Sequence, residues 1–221
     1  TGRPMTYQEF RYDRAASHRY WARGFVGWAT MTRAHPNRTH YALVELEQSG
    51  LITGVVTQNV DGLHARAGTE RLIPLHGDMS HVECLDCGFQ EPREGFDHRM
   101  AEANPGYRES IQVEQSMVNP DGDVSLSDEQ VARFRMPGCL RCGSRRLKPD
   151  VVYFGESVPR DRRRQADELL AASSSLIVAG SSLAVMSGYR LLLDAVRDRK
   201  FTAVINAGPG RGDRKADVVW R

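Results

Sequence analysis

Cysteine is scarce in this chain, and none is spare. The four present, Cys84, Cys87, Cys139 and Cys142, all sit in Cys-x-x-Cys pairs. That leaves nothing for a disulfide framework and points to metal in a reducing compartment. No run approaches the roughly 18 consecutive apolar residues of a membrane helix, and no membrane partner is expected. Thr1-Gly2-Arg3-Pro4 does not resemble a signal peptide. Charge of one sign is not in excess: 30 Lys and Arg against 28 Asp and Glu leave +2, which gives no reason to expect direct nucleic-acid binding. A Gly-x-Ser-x-Gly elbow, a Walker loop and a His-Glu-x-x-His helix are all missing, which argues against hydrolase, P-loop ATPase and zinc-protease chemistry. The basic run Arg160, Arg162, Arg163 and Arg164, interrupted by Asp161, reads as a solvated helix start.

At 221 residues the chain suits one large domain, or one domain with an inserted module. Thr6 to Trp28 has helical spacing of Phe10, Ala16 and Tyr20. Asn37 reads as the N-cap of a helix through Glu47, closed by Gly50. Apolar runs at Leu51 to Val56, Val151 to Tyr153, Leu176 to Ala179 and Phe201 to Ile205 read as strands. Helical patterns at about Arg162 to Ala172 and Ser187 to Arg197 alternate with them. The alternation predicts a parallel sheet with helices on both faces. Polar residues directly follow three of these runs: Gln58-Asn59, Gly180-Ser181-Ser182 and Asn206-Ala207-Gly208. Ligands bind beyond the carboxyl ends of such strands, although ordinary strand-to-helix turns would read the same way.

From Gly88 to Gly138 turn residues dominate, and the stretch reads as an insertion between the cysteine pairs. Asp121, Asp123 and Ser125 do not make a calcium loop, because Leu126 stands where Gly is required and Ala132 where Glu is. Ser127 with Gln130 instead predicts a capped short helix. Two Cys-x-x-Cys knuckles, each followed by Gly, suit tetrahedral thiolate coordination of zinc with no open position, hence a structural ion. His76, between Leu75 and Gly77, reads by itself more readily as a hydrogen-bonded structural histidine than as a general base. His64 and His81 share that ambiguity.

The blocks Thr57-Gln58-Asn59-Val60-Asp61-Gly62-Leu63-His64, Leu75-His76-Gly77, the four cysteines, Lys148-Pro149-Asp150-Val151-Val152-Tyr153-Phe154-Gly155-Glu156 and Gly180-Ser181-Ser182-Leu183 occur in the order found in sirtuins. The chain resembles this family of NAD-dependent protein lysine deacylases over essentially its whole length. It resembles in particular the class II branch, which includes the mitochondrial ADP-ribosyltransferase/lipoamidase sirtuin. Tyr20 to Trp28 and Ser187-Gly188-Tyr189-Arg190 carry that likeness, together with Pro120-Asp121-Gly122-Asp123 in the long insertion.

The resemblance implies a Rossmann-like α/β fold with a small zinc-binding lobe. Residues 1–83 and 148–221 would form the two parts of the NAD domain and 84–147 the lobe. It implies His76 as the base that deprotonates a ribose hydroxyl, directly or by relay. Gln58, Asn59, Val60 and Asp61 would line the nicotinamide-ribose pocket. Gly180, Ser181 and Ser182 would hold ribose or phosphate, and Asn206, Ala207 and Gly208 the adenosine ribose. Val152, Phe154, Gly155 and Glu156, with Val185 opposite, would clamp an acyl-lysine peptide as an added strand. The products would be nicotinamide, free lysine and O-acyl-ADP-ribose. Cys84, Cys87, Cys139 and Cys142 would hold one structural zinc.

The sirtuin Gly-Ala-Gly-Ile-Ser loop and Pro-Asp-Tyr/Phe-Arg segment are not in this sequence, and it stops at Trp220-Arg221. The expectation is a fragment that binds NAD weakly by itself. Tyr20 and Arg23, three apart on one helix face, either read the carboxylate of an acidic acyl group or serve packing and an ion pair. Mono-ADP-ribosyl transfer with weak deacylation, and a non-catalytic zinc-ribbon binding module, are the competing functions. A monomer is expected, cytoplasmic in a bacterium or in the mitochondrial matrix of a eukaryote.

Overall fold

The computed structural model describes residues 5–111 and 124–221, and residues 119–123 of the insertion lie outside these. The chain divides into two compact units, the first comprising residues 1–36, 60–63 and 77–157, the second 37–59, 64–76 and 158–221.

Unit 1 begins with α1 (Tyr7–Tyr12) and α2 (Arg14–Thr32). The helical spacing read between Thr6 and Trp28 is interrupted at Asp13. That residue ends α1 in an extended conformation, and its carboxylate then caps α2 by accepting from Ala15 and Ala16 N–H. Three antiparallel strands follow, in the order β4 (Gln90–Pro92), β3 (Gly77–Cys84) and β5 (Leu147–Val151). The run expected as a strand of the parallel sheet at Val151 to Tyr153 is therefore corrected. Strand residues end at Val151, and β5 pairs antiparallel with β3 instead, Cys84 opposite Leu147. This pairing brings the two ends of the long insertion together, so both cysteine pairs lie at the same end of the two-strand ladder, where Cys84 faces Leu147.

The insertion is more regular than its turn-rich composition suggests. It contains β4, α5 (Arg93–Ala103) and α6 (Asp128–Arg133). Ser127 caps α6 in a full capping box with Gln130. Asn104, read as a turn residue, is buried; its amide donates to Met100 O and Arg135 O, and its oxygen accepts Arg135 N–H. Those three bonds hold the returning chain against the end of α5. The core of this unit joins Trp21 and Phe25 of α2 to Phe96 and Met100 of α5 and to Val82, Cys84, Cys139 and Leu147. Trp21 and Phe96 meet edge-on at 4.8 Å between centroids, and Trp21 Nε1–H donates to Leu147 O at 2.7 Å.

Unit 2 holds the parallel strands. α3 (Arg38–Gln48) is capped by Asn37. The strand expected from Leu51 is shorter, β1 being Val55–Thr57 and pairing parallel with β2 (Leu72–Pro74). α4 (Leu63–Ala67) lies between them in sequence. Then come α7 (Arg160–Ala171), β6 (Ser175–Ala179), α8 (Met186–Arg197), β7 (Phe201–Ile205) and β8 (Val218–Trp220), with β6, β7 and β8 forming a parallel sheet in that order. Leu191, Leu192 and Ala195 of α8 are buried. Leu191 and Ala195 pack with Ile73 and Leu75, and Leu192 with Val178 and Val204. One helix thus ties both sets of strands together. Thr202, fully buried, bonds through N–H and Oγ1 to Asp217 just before β8.

Candidate active site and metal centre

In unit 2 the residues after β1, β2 and β6 converge on the first turn of α8. Gln58 follows β1, and its side-chain N–H donates to Ser181 Oγ at 2.9 Å. Ser181 follows β6 through Gly180, whose φ of +63° suits the turn. The same Ser181 oxygen accepts Leu183 N–H at 3.2 Å. His76, two residues beyond β2, places Nε2 2.7 Å from Ser187 Oγ. A Cβ on Gly188 would stand 2.6 Å from Gln58 Oε1, so only glycine lets that amide lie against the helix. Gln58, His76, Ser181 and Ser187 are thus brought together in one unit.

Burial pushes the His76 imidazole below the ordinary histidine value, opposed by a hydrogen bond to the Gln58 backbone. A half-buried, neutral imidazole is suited to accept a proton near neutral pH. The other two histidines in question are placed differently. His64 packs on the His40 ring at 4.7 Å, and exposed His81 lies 3.9 Å from Asp78.

Asn206 directly follows β7, its N–H donating to Trp220 O and its amide to Gly208 O. Gly208 has open space where a side chain would be. Asn59 N–H donates to Thr57 Oγ1. Val60 and Asp61 belong to unit 1; Val60 O accepts Met79 N–H, and Asp61 Oδ1 accepts Leu63 N–H. The donor set in unit 2 is amide, hydroxyl and backbone N–H at strand ends, the chemistry that sugar hydroxyls and phosphates require. It fits NAD.

Also in unit 1, the segment after β5 carries Val152, Phe154, Gly155 and Glu156. Phe154 O accepts Tyr7 N–H at 2.9 Å, in a parallel bridge with Thr6, a pairing that nothing in the sequence announced. Gly155 has φ +81°, and a Cβ there would stand 2.8 Å from Gln8 Oε1. Glu156 pairs with Lys148. Val185 lies in unit 2, at the N-cap of α8.

The four cysteine sulfurs lie within 4.8 Å of one another, with Cys84–Cys142 at 3.6 Å and Cys87–Cys139 at 3.7 Å. A tetrahedron with zinc–sulfur bonds of 2.3 Å has edges of about 3.8 Å, so the cluster fits zinc. Burial pushes the Cys139 thiol up, but backbone bonds from Cys142 and Arg141 outweigh it and hold it down to about 7. At Cys142 a backbone bond from Ser144 favours the thiolate, yet the neighbouring sulfurs push it up to about 12. Sulfurs this close cannot all ionise without a cation between them, and zinc would supply it.

The Sir2 family profile matches residues 5–187. The chain belongs to the Sir2 family. Among sirtuins it is 62% identical over 220 residues to the NAD-dependent protein deacetylase 1 of Corynebacterium efficiens, covering 100% of this chain and 78% of that protein. It is 44% identical over 211 residues to the human mitochondrial NAD-dependent protein lipoamidase sirtuin-4, covering 96% of this chain and 66% of that one. The solved structure of Sir2Tm bound to a propionylated peptide superposes with a TM-score of 0.73 at 30% identity, covering 96% of this chain and 75% of that one. The Rossmann-like sirtuin fold with its cysteine cluster is therefore the fold of this chain, and its homologues are NAD-dependent deacetylases and deacylases.

Proposed function

We propose that this sirtuin is itself an NAD-dependent protein lysine deacylase. The observation that carries the reading is the junction of His76, Gln58 and Ser181 with the first turn of α8, in a fold whose homologues perform that reaction. Bound NAD supplies the ADP-ribose acceptor and the nicotinamide leaving group. Gln58 and Asn59 orient the nicotinamide ribose. Ser181 and Ser182 donate hydroxyls toward ribose or phosphate, and Asn206 takes the adenosine ribose. His76 accepts a ribose hydroxyl proton at Nε2, which its buried setting leaves unprotonated. Phe154 to Glu156 present backbone groups to an acyl-lysine peptide.

Product analysis tests the proposal. The full-length protein, given NAD and acyl-lysine peptides, should release nicotinamide, free lysine peptide and O-acyl-ADP-ribose in equal amounts. ADP-ribosylated protein with no O-acyl-ADP-ribose would make it a transferase, and no nicotinamide release would make it a binding module.

A further inference from the structure

We propose that Ser187 is a positioning residue for His76, fixing the ring's aim so that Nε2 faces the proton it takes up. This rests on the deacylase reading above.

Three observations carry it. First, Ser187 Oγ lies 2.7 Å from His76 Nε2. Ser187 is in the first turn of α8, where a hydroxyl often serves as a cap, but the N-cap is Val185 and no side chain caps this helix. Second, the bond between His76 and the Gln58 backbone favours the protonated ring, as an acceptor carbonyl does, so a ring N–H donates to it. With Nε2 turned to Ser187, that N–H sits on Nδ1. The Nε2 lone pair then accepts the Ser187 O–H, and the hydroxyl stands where a ribose hydroxyl would donate. The Gln58 bond selects the tautomer, and the Ser187 hydroxyl holds the ring's aim from the opposite edge.

Third, Ser187 is itself held. Arg163 Nη1–H of α7 reaches Ser187 O at 3.5 Å, while its other guanidinium nitrogens pair with Asp194 at 3.1 Å and Asp167 at 3.0 Å. Next to Ser187, Gly188 admits the Gln58 amide. One helical turn therefore seats the ring through Ser187 and the cofactor-facing amide through Gly188. When substrate donates to Nε2, Ser187 O–H gives way and no proton is gained or lost by the serine.

The test combines nitrogen-15 NMR of the His76 ring, without NAD, with steady-state kinetics on the full-length protein. In the native protein the Nδ1–H tautomer should dominate. In Ser187→Ala that tautomer should persist, while the Nε2 resonance shifts on losing the Ser187 hydrogen bond. kcat should fall about tenfold, as for a misaimed reacting group, with KM for NAD and peptide unchanged. Ser187→Thr, which keeps the hydroxyl, should restore both the Nε2 resonance and kcat. Unchanged spectra and rates in a folded, active Ser187→Ala protein would overturn the positioning role alone. A wild-type protein that makes no O-acyl-ADP-ribose would instead overturn the deacylase reading.

Discussion

Lys148 Nζ stands 3.2 Å from Glu156 Oε1, with the two side chains only 7% and 19% exposed. The ammonium also donates to Val151 O at 2.8 Å, and the other carboxylate oxygen accepts Tyr153 N–H at 2.9 Å. The pair thus braces both ends of the Val152 to Glu156 segment that the deacylase reading assigns to the peptide.

Lys148→Met removes the cation and leaves a mostly buried carboxylate and a backbone carbonyl without their partner. The expected cost is about 3 kcal/mol, read as a lower denaturant midpoint with unchanged slope. Glu156→Gln in the same chain should recover much of that loss. Peptide KM should rise while NAD KM stays as it was. A midpoint within error of wild type would show that the pair does not brace the segment.

The acid limb of activity follows from His76. Its imidazole lies below the ordinary value of 6.5 because it is buried, with the Gln58 backbone bond opposing. An unshifted imidazole at pH 6 would be about three-quarters protonated. Here kcat/KM at pH 6 should remain closer to its neutral-pH value, the limb falling only below 6.5. Charged neighbours on α7 and α8, Arg163 with Asp167 and Asp194, are already paired to one another. The same depressed value makes stability decline as pH falls through 6.5 toward the folded-state value, because the unfolded chain takes up the proton first. A limb at or above 6.5 would refute the assignment of His76 as the base.

The metal should carry a large part of unit 1. Cys84 and Cys139 belong to the same core as Trp21, Phe96 and Leu147, so losing the ion frees β3 from β5 at the Cys84–Leu147 end of their ladder. Structural zinc sites contribute on the order of 10 kcal/mol, comparable with a whole domain's stability. Chelation, or Cys84→Ala, should abolish bound zinc and the near-ultraviolet dichroism of buried Trp21 together. Retention of that signal in zinc-free protein would show a core that stands without the metal.

Local rules reached far in this chain, and their failures have physical causes. Asn37 and Ser127 were legible as caps because the side chain that bonds the backbone is itself the signal. Phe201 to Ile205 was legible to the residue because four of its five residues are apolar, as parallel strands favour. The strand at Leu147 to Val151 was not, since Lys148, Pro149 and Asp150 hide it. Its Lys148 is buried through an ion pair that no pattern records. The packing of α2 against the cysteine-bearing strands depends on Trp21 reaching Leu147 O, 126 positions away. At the candidate site, strand ends named Gln58, Ser181 and Asn206, whereas Ser187 stood out only as part of Ser187-Gly188-Tyr189-Arg190, with no role attached. Its signal was only the pairing of a small hydroxyl with glycine at the start of α8, and that acquires meaning once His76 is folded beside it.

Acyl preference turns on Tyr20 and Arg23, both on α2. Tyr20 meets Phe10 edge-on at 5.2 Å and Tyr153 at 6.0 Å, which accounts for it as packing. Arg23 differs: its Nε is shut off from solvent with no hydrogen-bond partner among the described residues. An unmet buried donor on a cation costs free energy that an incoming carboxylate would recover, about 1.5–3 kcal/mol for a charged hydrogen bond. Arg23→Met should therefore cut turnover of glutaryl- or methylglutaryl-lysine peptides about 10- to 100-fold and leave acetyl-lysine turnover unchanged. Competition between glutaryl and acetyl peptides in one reaction reads the ratio directly. An unaltered ratio in a folded Arg23→Met protein would return Arg23 to a structural role and place acyl selection elsewhere in the chain.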